Sequence, residues 1–435
     1  MVQLYPHQIQ GLKEASNHNH VAFYWDMGLG KTFAGSEKVM QLGAKINLVV
    51  CQKSKISDWV EHFLTNYPDF DVYDLTNPKS MDVFWQDVEV TYQQPVIVGV
   101  INYDLVWRRP ELLNLTDFTL LLDESSLIQT DTAKRTKFIL KMAPKNVILL
   151  SGTPTGGKYE KLWTQMHLLG WNISKQLYMN QFVNVDYLDT MKGSIPIVTG
   201  YKNVDRLKRK MHQYGCQFLK TDEVFDLPEQ VFQKIRVQAS EDYIRFRKDR
   251  IIEIDGETLV GDTTLTKMLY ERMLCGQYSE AKLEAFADLL DSTDDRMVVF
   301  YNFNEELDKL IQIAKDHSRP FGVVSGWHKN PEVLSTESAL LFVQYQAGAM
   351  GLNLQKANRM VFYSLPLSSE LFEQAKKRIH RIGQNRTCFY YIMLCKGSIE
   401  DRILAALEMR KDYTDTLFEK DDNNGYQTNY IPSGM

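Results

Sequence analysis

The sequence predicts an α/β chain made of two parallel-sheet lobes with helical material between them. Short β-branched or aromatic runs recur at residues 21–25, 46–51, 95–100, 118–122 and 147–150. They recur again at 297–301, 321–325, 339–343, 359–363 and 388–394. Helix-length segments separate the runs, which is the pattern of parallel strands joined by crossover helices. Residues 151–296, mostly of helical pattern, divide the two series. The divide between lobes is expected at Leu227-Pro228-Glu229, where the hydrophobic register restarts after a proline. This gives lobes at 1–228 and 229–420, and a polar, loosely ordered tail at 421–435.

Composition excludes several classes. The 435 residues are 44% hydrophobic and 24% charged, as in globular proteins. Five cysteines without a CxxC pair exclude a disulfide framework and a simple zinc knuckle, and fit a reducing cytosol. No apolar run is long enough for a membrane span, and the first fifteen residues lack the order of a signal peptide. Cytoplasmic residence is therefore expected. A net charge of −5 excludes a uniformly basic nucleic-acid coat, yet leaves room for local basic stripes. One such stripe, 206–210, reads as a solvated helix face. His18 and His20 lack the partners of a metal site, and Cys388 and Cys395 read as packed thiols.

The first strand runs straight into Asp26-Met27-Gly28-Leu29-Gly30-Lys31-Thr32. Glycines there let backbone N–H groups curl toward phosphate oxygens at the start of a helix. Lys31 would neutralise β- and γ-phosphates, and the Thr32 hydroxyl would ligate Mg²⁺. The full phosphate-loop pattern carries a glycine where Trp25 stands. A later strand ends in Asp123-Glu124, at the end of a parallel sheet where ligands bind. Asp123 would hold Mg²⁺ through water, and Glu124 would orient or deprotonate an attacking water. Ser151-Gly152-Thr153-Pro154 follows the next strand and could bond the acidic loop. In the second lobe, Arg378 and Arg381 stand three apart, so on a helix they share a face. They could stabilise charge on a transferring phosphoryl group, or contact a nucleic-acid backbone.

Taken in order, these segments resemble the superfamily-two helicases, specifically the SWI/SNF-like ATP-dependent double-stranded DNA translocases. The likeness spans about Leu4 to Arg402. LYPHQ at 4–8 resembles the adenine-reading motif, with Gln8 on the base edge. Lys53-Ser54 through Trp59 resembles a motif that faces DNA. FLKTDEVFDLPE at 218–229 and SEAKL at 279–283 resemble the exit from one lobe and the entry to the other. AGAMGLNL at 347–354 resembles the motif that couples ATP to DNA, and QAKKRIHRIGQ at 374–384 the arginine-finger motif almost letter for letter.

The resemblance implies two RecA-like lobes, with ATP and Mg²⁺ in the cleft between them. ATP contacts are implied for Gln8, residues 26–32, Gly351, Arg378 and Arg381. Nucleic-acid contacts are implied for Lys53, Ser54, Trp59, Asn102, Tyr103, Gly326, Ala347, Gly348 and Asn353. His380 is given a relay or packing role. There are departures. Ser125 and Ser126 replace the last two letters of the family's DEAH or DECH, and Leu367 replaces a tryptophan common in chromatin remodellers. The chain thus resembles minimal bacteriophage or bacterial members, monomeric on double-stranded or branched DNA. A strand-separating DNA or RNA helicase, or a weakly active ATP-gated DNA scaffold, are the alternatives.

Overall fold

The computed structural model describes residues 3–90, 95–190, 193–348 and 352–418. The expected tail at 421–435 and Gly351 lie outside them. Among the described residues, two parallel sheets dominate. The first has seven strands, in the order Phe70–Asp74, Val96–Asn102, Ile46–Cys51, Thr119–Asp123, Asn146–Leu150, His20–Trp25 and Cys216–Leu219. The second has six, in the order Gln230–Gln238, Cys388–Lys396, Arg359–Phe362, Met297–Tyr301, Leu340–Gln344 and Phe321–Val324.

Both sheets are covered on both faces, which explains the unbroken apolar runs. In the first, Ala22, Leu48, Leu120 and Leu149 join one buried cluster. Their alternating neighbours Val21, Val49, Leu121 and Ile148 join another. The second sheet repeats the device, with Val298 and Phe300 on one face and Val299 and Tyr301 on the other. The period of two along each strand serves two cores at once.

The ten expected strands form, with ends shifted by no more than two residues. The stretch between the two series carries helices, as expected, but also more. Two antiparallel hairpins occur, Val183–Thr190 with Gly193–Tyr201 and Ile251–Ile254 with Glu257–Val260. Cys216–Leu219 closes the first sheet and Gln230–Gln238 opens the second. In the basic stripe, Leu207 is buried while Arg206 and Arg209 are exposed.

The last helix, Ile399–Phe418, ties the lobes together. Ile399, Ile403, Leu404 and Leu407 lie in the second core. Further on, the Tyr413 ring packs at 5.9 Å from Tyr159 and 4.8 Å from Tyr201 of the first lobe. The Tyr159 hydroxyl donates to the Tyr413 carbonyl at 2.6 Å. Gly157 permits this approach, because a Cβ there would lie 2.2 Å from the Arg410 carbonyl oxygen. No helix among the described residues is long and apolar enough to cross a membrane.

A buried ion pair anchors the second lobe. Lys282 donates to Glu400 at 2.6 Å, and both side chains are almost wholly buried. Cys388 and Cys395 are buried, as expected. Cys275, Cys395 and Glu400 come within 4.8 Å of one another, but both Glu400 oxygens are taken, by Lys282 and by the Cys395 N–H. Removing one charge strands the other away from water, which costs about 3–5 kcal/mol. Glu400→Gln is therefore expected to lower the urea midpoint of the second lobe strongly, with Lys282→Met/Glu400→Leu recovering most of the loss. Equal midpoints for the single and double variants would contradict this.

Candidate functional site

A cleft of about 340 Å³ opens at the carboxyl ends of the first sheet's central strands. Its first-lobe wall comes from three segments that follow strands, with the helix starts after two of them. Met27, Gly28, Gly30, Lys31 and Thr32 follow strand His20–Trp25. Gln52, Lys55, Asp58 and Trp59 follow Ile46–Cys51, and Asp123 and Glu124 end Thr119–Asp123. Lys377, Arg378 and Arg381 of the second lobe close the opposite side. Residues more than 250 positions apart in the chain thus face one another across one cavity.

The glycine turn has the backbone its residues foretell. Gly28 and Gly30 take φ of 88° and 69°, values that side-chain-bearing residues resist, and Gly30 caps helix Lys31–Leu42. The Lys31 ammonium donates to the carbonyls of Trp25 and Asp26 at 2.8 and 3.0 Å. Trp25, standing in the place of a glycine, is the last residue of its strand and is buried. Its side chain therefore belongs to the core, and the turn begins after it. Leu29 is buried as well.

Gln8 is placed differently from expectation. It is buried, outside the cleft lining. Its amide donates to the carbonyls of Leu29 and Gly30, each at 3.2 Å, and accepts from the Tyr5 N–H at 2.8 Å. A Cβ on Gly30 would meet that amide at 2.1 Å. Gln8 thus shapes the glycine turn.

Electrostatics single out the two carboxylates. Loss of water contact, then the charge of Asp123, pushes the Glu124 carboxyl up to about 7. Asp123 is also raised by burial, opposed by a hydrogen bond from the Trp59 indole and by Lys31. Glu124 sits at φ 53°, in left-handed backbone rare for such a residue, and its Oε2 is sealed from solvent without a partner. Strained backbone and an unpaired buried oxygen are features found at functional sites. Arg378 is pushed down to about 10 by burial and by Arg381, and its Nε also lacks a partner. These unspent donors and acceptors, with a lysine among three acids, fit a magnesium nucleoside triphosphate.

Arg378 and Arg381 do not lie on a helix. Helix Ser369–Lys376 ends before them, and a turn carries both. Gln384 clamps that turn through its amide, which donates to the carbonyls of Gln355, Ala357 and Ile379 at 2.9–3.2 Å. Gly383, at φ 93°, lets the backbone fold back. His380 Nε2 lies 2.8 Å from the Pro228 carbonyl, a packing role that fixes the turn to the crossing between lobes.

The expected nucleic-acid residues divide. Lys53, Ser54, Gly326 and Asn353 are exposed. Asn102 is nearly buried, lining a surface groove beside Lys53. Trp59, Tyr103 and Ala347 are buried, which leaves their side chains no nucleic-acid surface. Trp59 donates its indole N–H to Asp123 at 2.9 Å, and the Tyr103 hydroxyl donates to the Asp123 carbonyl at 2.9 Å. They brace the acidic strand end. Gly348 ends the short helix Tyr345–Gly348.

Two cross-lobe contacts were not visible in the sequence. Lys377 pairs with Asp26. Burial alone would raise the Asp26 carboxyl, but Lys377 and the Thr221 N–H hold it below its ordinary value. The Ser126 hydroxyl donates to Glu370 at 2.8 Å, while Ser125 donates to Gln165 at 2.7 Å.

The two parallel-sheet lobes and this cleft define a phosphate-loop protein whose site is shared between lobes. Residues 8–280 match the SNF2-related domain family and 281–383 the helicase conserved C-terminal domain. The chain belongs to the SNF2-related family. It is 24% identical over 419 residues to a SWI/SNF-related matrix-associated actin-dependent regulator of chromatin subfamily A-like protein 1 of Xenopus tropicalis, covering 92% of this chain and 43% of that protein. It is 23% identical to the putative ATP-dependent helicase/translocase YwqA of Bacillus subtilis, covering 91% and 46%. The chain spans less than half the length of these two relatives. A Sulfolobus solfataricus SWI2/SNF2 ATPase core, solved in complex with double-stranded DNA, aligns at a TM-score of 0.46 and 19% identity over 95% of this chain and 92% of that one.

Lys377→Ala/Ser126→Ala removes these two side-chain contacts without touching either core. Small-angle scattering is expected to show a larger radius of gyration than wild type at an equal melting temperature. An unchanged radius would mean that the last helix and the His380–Pro228 contact hold the cleft without them.

Proposed function

We propose that the chain hydrolyses ATP and uses the turnover to move along double-stranded DNA. The observation that carries this reading is the facing of Lys31, Asp123 and Glu124 by Arg378 and Arg381 across one cleft, in a member of this family. Backbone N–H groups of residues 28–32 and the Lys31 ammonium hold the phosphates. Thr32 and Asp123 would hold Mg²⁺, which when bound neutralises phosphate charge. Trp59 keeps the Asp123 carboxylate in place. Glu124, with its free oxygen and raised affinity for a proton, accepts a proton from the attacking water. Arg378 and Arg381 meet the charge that develops on the transferring group, so hydrolysis requires the closed cleft.

Closure moves the lobes relative to each other, and backbone contacts convert that motion into steps without reading bases. Lys53, Ser54 and Asn353 supply exposed contacts. The two parts, 1–228 and 229–420, are the moving bodies. Remodelling of forks and displacement of bound proteins are consequences of such stepping.

Lys31→Ala is expected to fold normally and to lose ATP turnover, since it removes a phosphate countercharge and no core packing. A steady-state assay with and without duplex DNA tests this. Folded Lys31→Ala with near-normal turnover would sink the phosphate-loop assignment. Arg381→Ala should slow hydrolysis about 10³–10⁵-fold at saturating DNA while nucleotide affinity holds. Full recovery at saturating DNA would make Arg381 a DNA contact instead.

DNA activation should fall steeply with salt and vary little among unrelated duplexes, because the contacts are to phosphates. Comparing several duplexes at two salt concentrations checks this. A strong preference for one sequence would contradict stepping along the backbone.

A further inference from the structure

Trp327 is 94% exposed, the highest value among the exposed large apolar side chains of the described residues. It stands in the loop after edge strand Phe321–Val324 of the second sheet. Leaving an indole in water forgoes one of the largest burial gains a side chain offers.

The loop is nevertheless held in shape. Ser325 Oγ accepts from the N–H groups of Trp327 and His328 at 3.3 and 3.2 Å. The Ser325 N–H donates to the His328 carbonyl at 2.8 Å, and that of Asn330 to Val323 at 3.1 Å. Gly322 lets the loop fold back, since a Cβ there would lie 2.6 Å from the Asn330 carbonyl oxygen. The backbone thus fixes where the indole leaves the chain. Lys329 and Asn330 beside it are also exposed.

The loop leaves the same end of the second sheet as the segment after the adjacent, parallel strand Leu340–Gln344. That segment leads to the exposed Asn353.

We infer that Trp327 is a base-stacking contact that selects DNA carrying an unpaired base, such as a fork or junction. The inference rests on the DNA reading given above. An indole with a lysine beside it suits a nucleobase face and its phosphate. An intact duplex hides its base faces, so a ring must first separate a base step at a cost of its own. An unpaired base presents its face without that cost. The same ring would therefore bind forked DNA well and paired DNA hardly at all.

Fluorescence anisotropy of the full chain on a forked duplex and on a fully paired duplex of equal length tests this at one fixed salt concentration. Trp327→Ala should bind the fork about 5- to 150-fold more weakly, the range of a single base–aromatic stack, with affinity for the paired duplex unchanged. Trp327→Phe should retain most of the fork preference. A 2-aminopurine placed at the junction should be quenched by wild type and not by Trp327→Ala. Equal melting temperatures show that the variants fold. Equal loss on both DNAs, or no loss on either, would overturn the inference and leave the indole to a protein partner. Failure of wild type to bind either DNA would instead overturn the DNA reading itself.

Discussion

The cleft holds its shape through a charge imbalance that neither lobe resolves alone. The first lobe brings Asp26, Asp123 and Glu124 together around one lysine, Lys31, at the ends of parallel strands. All four are half-buried, so the excess negative charge is only partly hydrated and is costly. Burial lowers the Lys31 ammonium's affinity for its proton despite the three acids, and raises the proton affinity of Glu124. The second lobe supplies Lys377, Arg378 and Arg381, and burial, then the charge of Arg381, depresses Arg378. Each half is strained by like charge, and bringing them together relieves both. The glycine turn, the clamped arginine turn and the Lys377–Asp26 pair all serve that meeting.

Much of this was legible in the sequence, and for a physical reason. Strands covered on both faces must be apolar at every position, so runs such as Ile46–Cys51 and Met297–Tyr301 stand out. Gln230–Gln238 did not, because as an edge strand it alternates apolar and polar residues beside Pro228. The hairpin Val183–Thr190 with Gly193–Tyr201 carries exposed Tyr187, Leu188 and Ile195, an apolar pattern without a core to explain it. Within the cleft, glycines, acids and arginines were readable because their chemistry needs those residue types. The end of the helix at Lys376 was not, since QAKKRIH has no proline or glycine to stop it. The turn that follows is held by tertiary contacts, the amide of Gln384 taking up the Ile379 carbonyl.

Side chains that act by touching another side chain were the hardest to foresee. Trp59 reads as a nucleic-acid contact in the sequence, yet its helix turns the indole inward to Asp123. The two serines after Glu124 look like losses in a linear comparison. In space they are fully employed, Ser125 on Gln165 and Ser126 on the second lobe. A small hydroxyl suffices because the partner, Glu370, reaches across to it. The pairing of Asp26 with Lys377 spans nearly the whole chain and leaves no local trace.

The lobes are joined at two separate places, the crossing at Pro228 and the last helix with Tyr413 set between Tyr159 and Tyr201. A body hung from one swivel can tumble freely, whereas one hung from two turns only about the line through them. The second attachment therefore converts a loose linkage into a door on two hinges. Rotation about that line would carry Arg378 and Arg381 along a single arc, with opening retracing the path of closing. For the stepping proposed above, a swing that retraces itself would supply no direction, and direction would have to come from which lobe grips the DNA at each end of the arc.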